Sequence, residues 1–181
     1  LLTALGMLRK LAPLPLLKAK SEAFDAPHGT VQAAALAALG ASRDDSLIGY
    51  LLERSTYGNT SYRSRASSAR ALGSLGYFTP DKKPKREIEE RLVDLLRDDQ
   101  RVMRDAAAAA IYRAGFSDSR SALSAYRNTL PHQDRPTIDG YIKGLADSEG
   151  DKVKSLEKQL EEVTEKIRTL QTRVQDLEDK K

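Results

Sequence analysis

Six side chains in the middle of the sequence have the chemistry of a binding surface. In chain order they are Tyr57, Tyr62, Arg63, Arg65, Arg70 and Arg104. Guanidinium groups bind carboxylates and phosphates through charge-assisted hydrogen bonds, and arginine and tyrosine are frequent anchors of protein interfaces. We therefore predict a partner-binding surface at these residues. Two structural alternatives stay open: a solvated loop between helices, and an inter-repeat ionic ladder in which Asp98 or Asp99 pairs with Arg104.

No catalytic or metal-binding motif accompanies this cluster. The sequence has no cysteine, and its two histidines, His28 and His132, lie 104 positions apart beside prolines. A protein zinc site takes three or four nitrogen, sulfur or carboxylate ligands, and neither a Gly-rich phosphate loop nor a nucleophile elbow is present. We expect no metal ion, no cofactor and no catalytic residue, so the chain by itself is predicted not to be an enzyme.

Composition restricts the class of partner. The net charge is +4, and the charges from residue 151 onward cancel, so the basic excess lies in residues 1–150. Nucleic-acid modules are usually more basic, and the absence of tryptophan disfavours a stacking platform for single strands. No apolar run approaches the roughly 20 residues that span a bilayer. We expect a protein partner rather than nucleic acid or membrane, and the compartment stays unassigned, with a soluble cytoplasmic protein favoured.

A recurring helical segment must position these side chains. Its four copies are residues 31–40, 64–73, 103–112 and the weaker 135–143. Aligned on Leu39, Leu72, Ile111 and Ile142, they follow one another at intervals of 33, 39 and 31 residues. Self-similarity at this period is typical of stacked helix pairs, which need their neighbours to bury an apolar face.

A second amphipathic segment precedes each copy, so the order is helix, short turn, helix. These first helices begin near residue 13 and include apolar stripes around Leu51, Leu92 and Leu123. Asp44 or Asp45, and Ser119, occupy positions where helix caps are expected. Residues 1–11 are predicted to be the remnant of an earlier helix. Residues 78–86 contain two prolines, and we predict a solvated insertion loop there, although Lys82–Arg86 is similar to a basic nuclear-import peptide.

The alanine-rich copies that end in Leu-Gly resemble the second helix of a HEAT repeat. The resemblance covers residues 1–148 and implies an all-α, HEAT-like α-solenoid of antiparallel helix pairs. Repeats of this kind tend to carry a basic residue where Arg65 and Arg104 stand. Ser67, Ser68 and Pro136 depart from the pattern, which leaves the register of the fourth pair open.

Residues 151–181 form a separate heptad segment, predicted to be a coiled-coil helix. Its a and d positions are Val153, Leu156, Leu160, Val163, Ile167, Leu170, Val174 and Leu177. β-Branched residues at a with Leu at d favour a parallel two-stranded coil, in which Arg173 and Glu178 attract. Gly144 and Gly150 are predicted breaks before it. We expect self-association through this helix, with packing on its own repeats or on another protein as the alternatives.

These features indicate an interaction or scaffold module, the C-terminal fragment of a larger protein. Helical arrays with such a segment resemble the C-terminal domain of zinc aminopeptidases of the aminopeptidase N type, which implies a domain covering the cleft of a metallopeptidase. The alternative is a nucleic-acid-binding protein similar to the HEAT-like alkylpurine glycosylases, with a basic concave face. An enzyme subunit similar to HEAT-like bilin lyases is the third possibility, supported only by the repeats.

Overall fold

The computed structural model describes residues 14–23, 29–58 and 61–178, without the side chains of 152, 153, 169 and 172–178. Regular secondary structure in these ranges is entirely helical. The α-helices are α1 (Leu14–Glu22), α2 (Thr30–Ala41), α3 (Ile48–Arg54), α4 (Tyr62–Phe78), α5 (Lys82–Leu95), α6 (Arg101–Ala114), α7 (Arg120–Thr129) and α8 (Arg135–Glu178). Short 3-10 turns precede α3, α7 and α8. The predicted helix at residues 1–11 lies outside the described residues.

The predicted helical-repeat fold is confirmed. Helix α1 packs on α2, α3 on α4 and α5 on α6, while the second helices α2, α4 and α6 stack in a row. The recurring segments 31–40, 64–73 and 103–112 lie within these second helices, and 135–143 lies at the start of α8. The structure therefore has the all-α, HEAT-like arrangement of helix pairs that the repeats predict.

Small residues set the spacing between the stacked helices. A Cβ atom on Gly40 would lie 2.5 Å from the Cα of Ala71, and one on Gly73 would lie 2.6 Å from the Cα of Ala110. No side chain fits at such distances, so each Leu-Gly ending lets the backbone of the next second helix approach directly. The flanking alanines serve the same close packing, because small side chains let helices approach one another.

The first helices complete the core from the other side. Leu17 of α1, Leu51 of α3, Leu92 of α5 and Leu123 of α7 are fully buried. Each belongs to an apolar stripe at helical spacing, and burying such a side chain contributes about 1.5–3 kcal/mol. The array is therefore held together by a continuous core between its helix pairs.

Two segments differ from their predictions. Lys82–Arg86 forms the first turn of α5 rather than a solvated loop. Its proline, Pro84, is the third helical residue, where no intrahelical partner is needed for a backbone N–H, so the helix begins before it. Ser119 was a predicted cap, but its hydroxyl donates to Glu89 Oε1 at 2.6 Å instead of capping α7. Asp44 does accept from the backbone of Ser46 as a cap.

The fourth pair corrects two further expectations. In its second helix the buried apolar residues are Ile138 and Leu145, whereas Ile142 is only partly buried, so the alignment on Ile142 is shifted from the packed register. Gly144 and Gly150 do not interrupt the helix, because α8 runs from Arg135 to Glu178. Close contacts divide the chain into the units Leu1–Leu145 and Ala146–Lys181. No helix in the described ranges has the length and apolar character needed to cross a membrane.

Candidate functional site

Arg65 is buried in the repeat array, although the sequence placed it on a binding surface. Its Nε donates to the Ser55 carbonyl at 3.2 Å, and its Nη2 donates to the carboxylate of Asp98. Only 4% of the Arg65 side chain and 11% of the Asp98 side chain are exposed. Ser55 follows α3 and Asp98 follows α5, so one guanidinium ties together the turns of two consecutive helix pairs.

Arg104 occupies the matching position on α6 but has different partners. Its Nη1 donates to the carbonyls of Asp98 at 2.6 Å and Asp99 at 3.0 Å, so neither carboxylate pairs with it. Asp98 therefore forms a single inter-repeat ion pair, with Arg65 rather than the predicted Arg104 as the cation. The guanidinium carbon of Arg104 lies 5.9 Å from the ring centroid of Tyr126.

The turn after α3 is closed by side chains from the next helix pair. Arg91 of α5 donates to the hydroxyl of Ser55 at 3.0 Å and to that of Thr56 at 2.8 Å. Together with the ion pair of Arg65 and Asp98, it links the second and third pairs.

The corresponding turn after α5 is open. At the turn after α3, the following first helix, α5, contributes the long side chain of Arg91. At the turn after α5, the following helix, α7, contributes only the short side chains of Ala122 and Ala125. The result is a groove of about 520 Å³ between α5, α6 and α7, which we call the α5–α7 groove. It is lined by Val93, Leu96, Arg97, Arg104, Ala122, Ala125, Tyr126 and Thr129.

The charge of the α5–α7 groove is positive and unbalanced. Two of its lining residues, Arg97 and Arg104, are cationic and none is acidic. Arg97 is exposed and forms no side-chain ion pair or hydrogen bond with another described residue. The groove therefore combines an apolar floor with two guanidiniums, an arrangement that binds carboxylates.

Tyr126 forms one wall of the groove and is fixed in place. Its hydroxyl donates to Asp105 Oδ1 at 2.5 Å, and Asp105 also pairs with Arg101 at 3.5 Å. Burial, followed by the hydrogen bond and the charge of Asp105, raises the pKa of Tyr126 to about 12, against an opposing effect of Arg104. The phenol therefore stays protonated into the alkaline range and can keep donating to Asp105 there.

The other predicted surface residues are exposed, away from this groove. Tyr57 is 81% exposed in the turn after α3, with its ring centroid 5.4 Å from the Arg65 guanidinium. Tyr62 and Arg63 lie in the first turn of α4, and Arg70 lies two turns further along that helix. The structure thus places Tyr62–Arg70 on a helix rather than in a solvated loop. Asn59, which flanks this stretch, lies outside the described residues.

The comparison with solved structures supports the fold. The chain is similar to the complex of CpcE and CpcF of phycocyanin lyase from Nostoc sp. PCC7120, with a TM-score of 0.62 and 17% identity. The match covers 79% of this chain and 85% of the other. No protein-family model and no curated protein matches this sequence.

This comparison corrects the expectations about function. The prediction that the chain is not an enzyme, which was based on the absence of catalytic motifs, is contradicted, because a similar solved structure is a complex of a phycocyanin lyase. The resemblance to an aminopeptidase C-terminal domain finds no support, and neither does nucleic-acid binding.

The heptad face of α8 forms a second candidate surface. Its described a and d side chains are exposed: Leu156 63%, Leu160 68%, Val163 51%, Ile167 51% and Leu170 57%. The side chains of Val153, Val174 and Leu177 lie outside the described residues. A regular row of exposed aliphatic side chains is unusual on the surface of a monomer, which makes this face a candidate interaction site.

The residues that open the groove escaped the sequence reasoning. Arg97 looked like an ordinary turn residue, and Ala122 looked like part of an apolar stripe. The available signal was a break in the repeat: Arg91 in one first helix has only alanines as its counterparts in the next. Around the histidine that is described, His132, no group of metal-ligating side chains converges, and His28 lies outside the described residues.

Proposed function

We propose that this chain is a protein-interaction module in which a HEAT-like array is joined to a self-associating helix. The exposed heptad face of α8 carries the proposal, because five successive a and d side chains are 51–68% exposed. Pairing with the same face of a second copy would bury them, and each buried methylene contributes about 0.8 kcal/mol. We assign residues 1–148 to the array and 151–181 to the coiled-coil helix.

The charges beside the heptad face favour a parallel, in-register pair of identical helices. Lys152 and Arg173 occupy g positions, and Glu157 and Glu178 occupy the e positions five residues later. In a parallel dimer each g position faces the e position of the following heptad in the partner. Lys152 would then pair with Glu157 of the second copy, and Arg173 with Glu178 of the second copy. The symmetry of the dimer would form each of these two pairs twice.

An antiparallel pair would oppose the same charges. The g positions, which then face one another, include Lys152, Lys166, Arg173 and Lys180. Like charges across a coiled-coil interface select against that orientation. A second copy in the parallel orientation is therefore the partner that this face fits.

Light scattering after size-exclusion chromatography tests the proposal. We expect a mass of about twice 20.0 kDa for the unmodified chain. The double substitution Leu160→Glu and Ile167→Glu should give a monomer, because it places charges at the centre of the seam. The control exchanges two f-position residues, Lys158→Glu with Glu165→Lys, and should remain dimeric. A monomeric unmodified chain, or a dimer that persists in the seam variant, would refute the proposal.

The array itself is proposed to bind a protein segment through its exposed arginine and tyrosine side chains. Tyr57, Tyr62, Arg63 and Arg70 supply one such surface, and Arg104 contributes to the α5–α7 groove. The solved structure with a similar fold also supports a protein partner, because it is a complex of two proteins, CpcE and CpcF. Arg65 does not belong to this surface, because its guanidinium is bound to Asp98.

The same neighbour favours a second candidate function, a subunit of a lyase assembly. The observation behind it is the shared fold over 79% of this chain. A lyase assay with phycocyanin as the acceptor, with and without this chain, tests it. Product that forms faster in the presence of the chain supports a lyase role, and an unchanged rate refutes it.

A further inference from the structure

The repeat array loses two closing interactions at a single place. Between the second and third helix pairs, Arg91 seals the turn after α3 and Asp98 neutralises Arg65. Between α6 and α7, alanines replace the sealing arginine, and the neutral Thr129 lies near Arg104. The outcome is a groove lined by two guanidiniums with no acidic lining residue, whereas at the preceding interface one of the two arginines is paired with Asp98.

We propose that the α5–α7 groove is a binding site for an acidic segment of a partner protein. Arg97 and Arg104 would each donate to a carboxylate of that segment. Val93, Leu96 and the methyl groups of Ala122 and Ala125 would contact its apolar side chains. The same kind of interaction occurs inside the array at the preceding pair of repeats, where the carboxylate of Asp98 accepts from the guanidinium of Arg65.

The form of the groove favours a segment over a small molecule. Its volume of about 520 Å³ falls within the range of ligand pockets, but such pockets usually enclose most of a small ligand. Here Arg97, Ala125 and Thr129 on the rim are exposed, so an occupant is covered on one side only. A peptide that lies along the groove needs no more cover than this.

The electrostatics around the groove leave both cations available. Asp105 is the acidic residue nearest to Tyr126, and it is already held by the Tyr126 hydroxyl and by Arg101. Asp98 and Asp99 contact Arg104 only through their backbone carbonyls. A carboxylate of a partner protein could therefore pair with Arg97 and Arg104 without displacing a carboxylate of this chain.

Fluorescence anisotropy with a labelled peptide of alternating Glu and Leu tests the site. We expect saturable binding that weakens as salt is added, and no binding of the matched peptide of Lys and Leu. Arg97→Ala should weaken binding about two- to fivefold, since a solvent-exposed ion pair contributes up to about 1 kcal/mol. Arg113→Ala, which removes an exposed arginine elsewhere on α6, should leave the affinity unchanged.

A carboxylate placed inside the groove provides the complementary variant. Ala125→Glu should abolish peptide binding, because its side chain would reach the arginines that the peptide needs. Ala37→Glu introduces the same charge at an exposed alanine of α2 and should bind as the unmodified chain does. Both substitutions are at exposed helical positions, and matching circular dichroism melting curves would show that the fold is retained.

Three outcomes would overturn the inference. The first is equal binding of the Glu and Lys peptides, and the second is unchanged affinity in both Arg97→Ala and Ala125→Glu. The third is binding of free glutamate as tight as that of the peptide, which would indicate a small carboxylate as the ligand. The seam variant Leu160→Glu with Ile167→Glu should bind the peptide normally, so failure here is separable from failure of the proposed dimer.

Discussion

The guanidinium of Arg65 and the carboxylate of Asp98 form a buried ion pair between two consecutive helix pairs. Each group also forms a further hydrogen bond: Arg65 donates to the Ser55 carbonyl, and Asp98 accepts from the backbone of Gln100 at 2.9 Å. A buried ion pair needs such additional hydrogen bonds to offset the loss of hydration. This pair therefore fixes how one repeat is placed on the next, rather than offering a surface to a partner.

Removing the charge of Asp98 should strongly destabilise the array. Asp98→Asn leaves the buried guanidinium of Arg65 without a counterion, and breaking a buried pair in this way costs about 3–5 kcal/mol. Asp99→Asn is the matched control, because its side chain is exposed, and it should change stability by less than about 0.5 kcal/mol. Urea denaturation followed by circular dichroism measures both. Equal stability of the two variants would contradict the structural role of the pair.

The burial of the individual arginines could not be predicted from the sequence pattern. Arg63, Arg65 and Arg70 are close in sequence, and composition alone treats them alike. Their helical positions differ, so Arg65 points into the array while Arg63 and Arg70 remain exposed. The residue that neutralises Arg65 lies 33 positions away, beyond the reach of local periodicity. Tertiary packing thus decides which of these arginines stay at the surface, and the binding surface itself stays a prediction.

The fold itself was predictable because local signals agreed with it. The Leu-Gly endings and alanine flanks of residues 31–40 and 64–73 mark the helix contacts that the structure contains. The predicted helix boundaries were wrong at proline and glycine residues that the helices in fact contain. Pro84 fits the first turn of a helix, and Gly144 and Gly150 lie inside a helix long enough to absorb a cost of about 1 kcal/mol each.

Gly73 should be intolerant of any side chain. Its position would put a Cβ atom 2.6 Å from the Ala110 backbone, so Gly73→Ala must push two stacked helices apart. Overpacking of this kind costs about 1–3 kcal/mol. Gly49→Ala is the control, since nothing lies within 4 Å of the added atom, and there we expect stabilisation by about 0.5–1 kcal/mol. Thermal melting of both variants should show shifts of opposite sign.

Tyr126 should give the stability of the array a pH dependence in the alkaline range. Its pKa is raised from 10.0 to about 12, so the folded state binds the phenol proton more tightly than the unfolded state does. Its contribution is complete below pH 10 and is lost as the pH rises toward 12. Tyr126→Phe also removes the hydrogen bond to Asp105, which makes the variant less stable at neutral pH.

The stability difference between unmodified chain and Tyr126→Phe should therefore narrow as the pH increases. Urea denaturation at a series of alkaline pH values measures this difference. Tyr57→Phe controls for the loss of a phenol, because that side chain is 81% exposed. A difference that stays constant across the alkaline range would show that the Tyr126 proton is not held by the fold.

The parallel orientation of the proposed dimer can be tested by cysteine crosslinking, because the sequence has no cysteine of its own. In a parallel, in-register pair, Leu156 faces Leu156 of the second copy at a d position. We expect the single variant Leu156→Cys to form a disulfide-linked dimer under mild oxidation, since disulfides need Cβ atoms about 4 Å apart. Lys158→Cys, at an outward f position, is the control and should remain unlinked. In an antiparallel pair, Leu156 would instead lie near Val174, so Leu156→Cys alone would fail to crosslink, whereas the double variant Leu156→Cys with Val174→Cys would link efficiently.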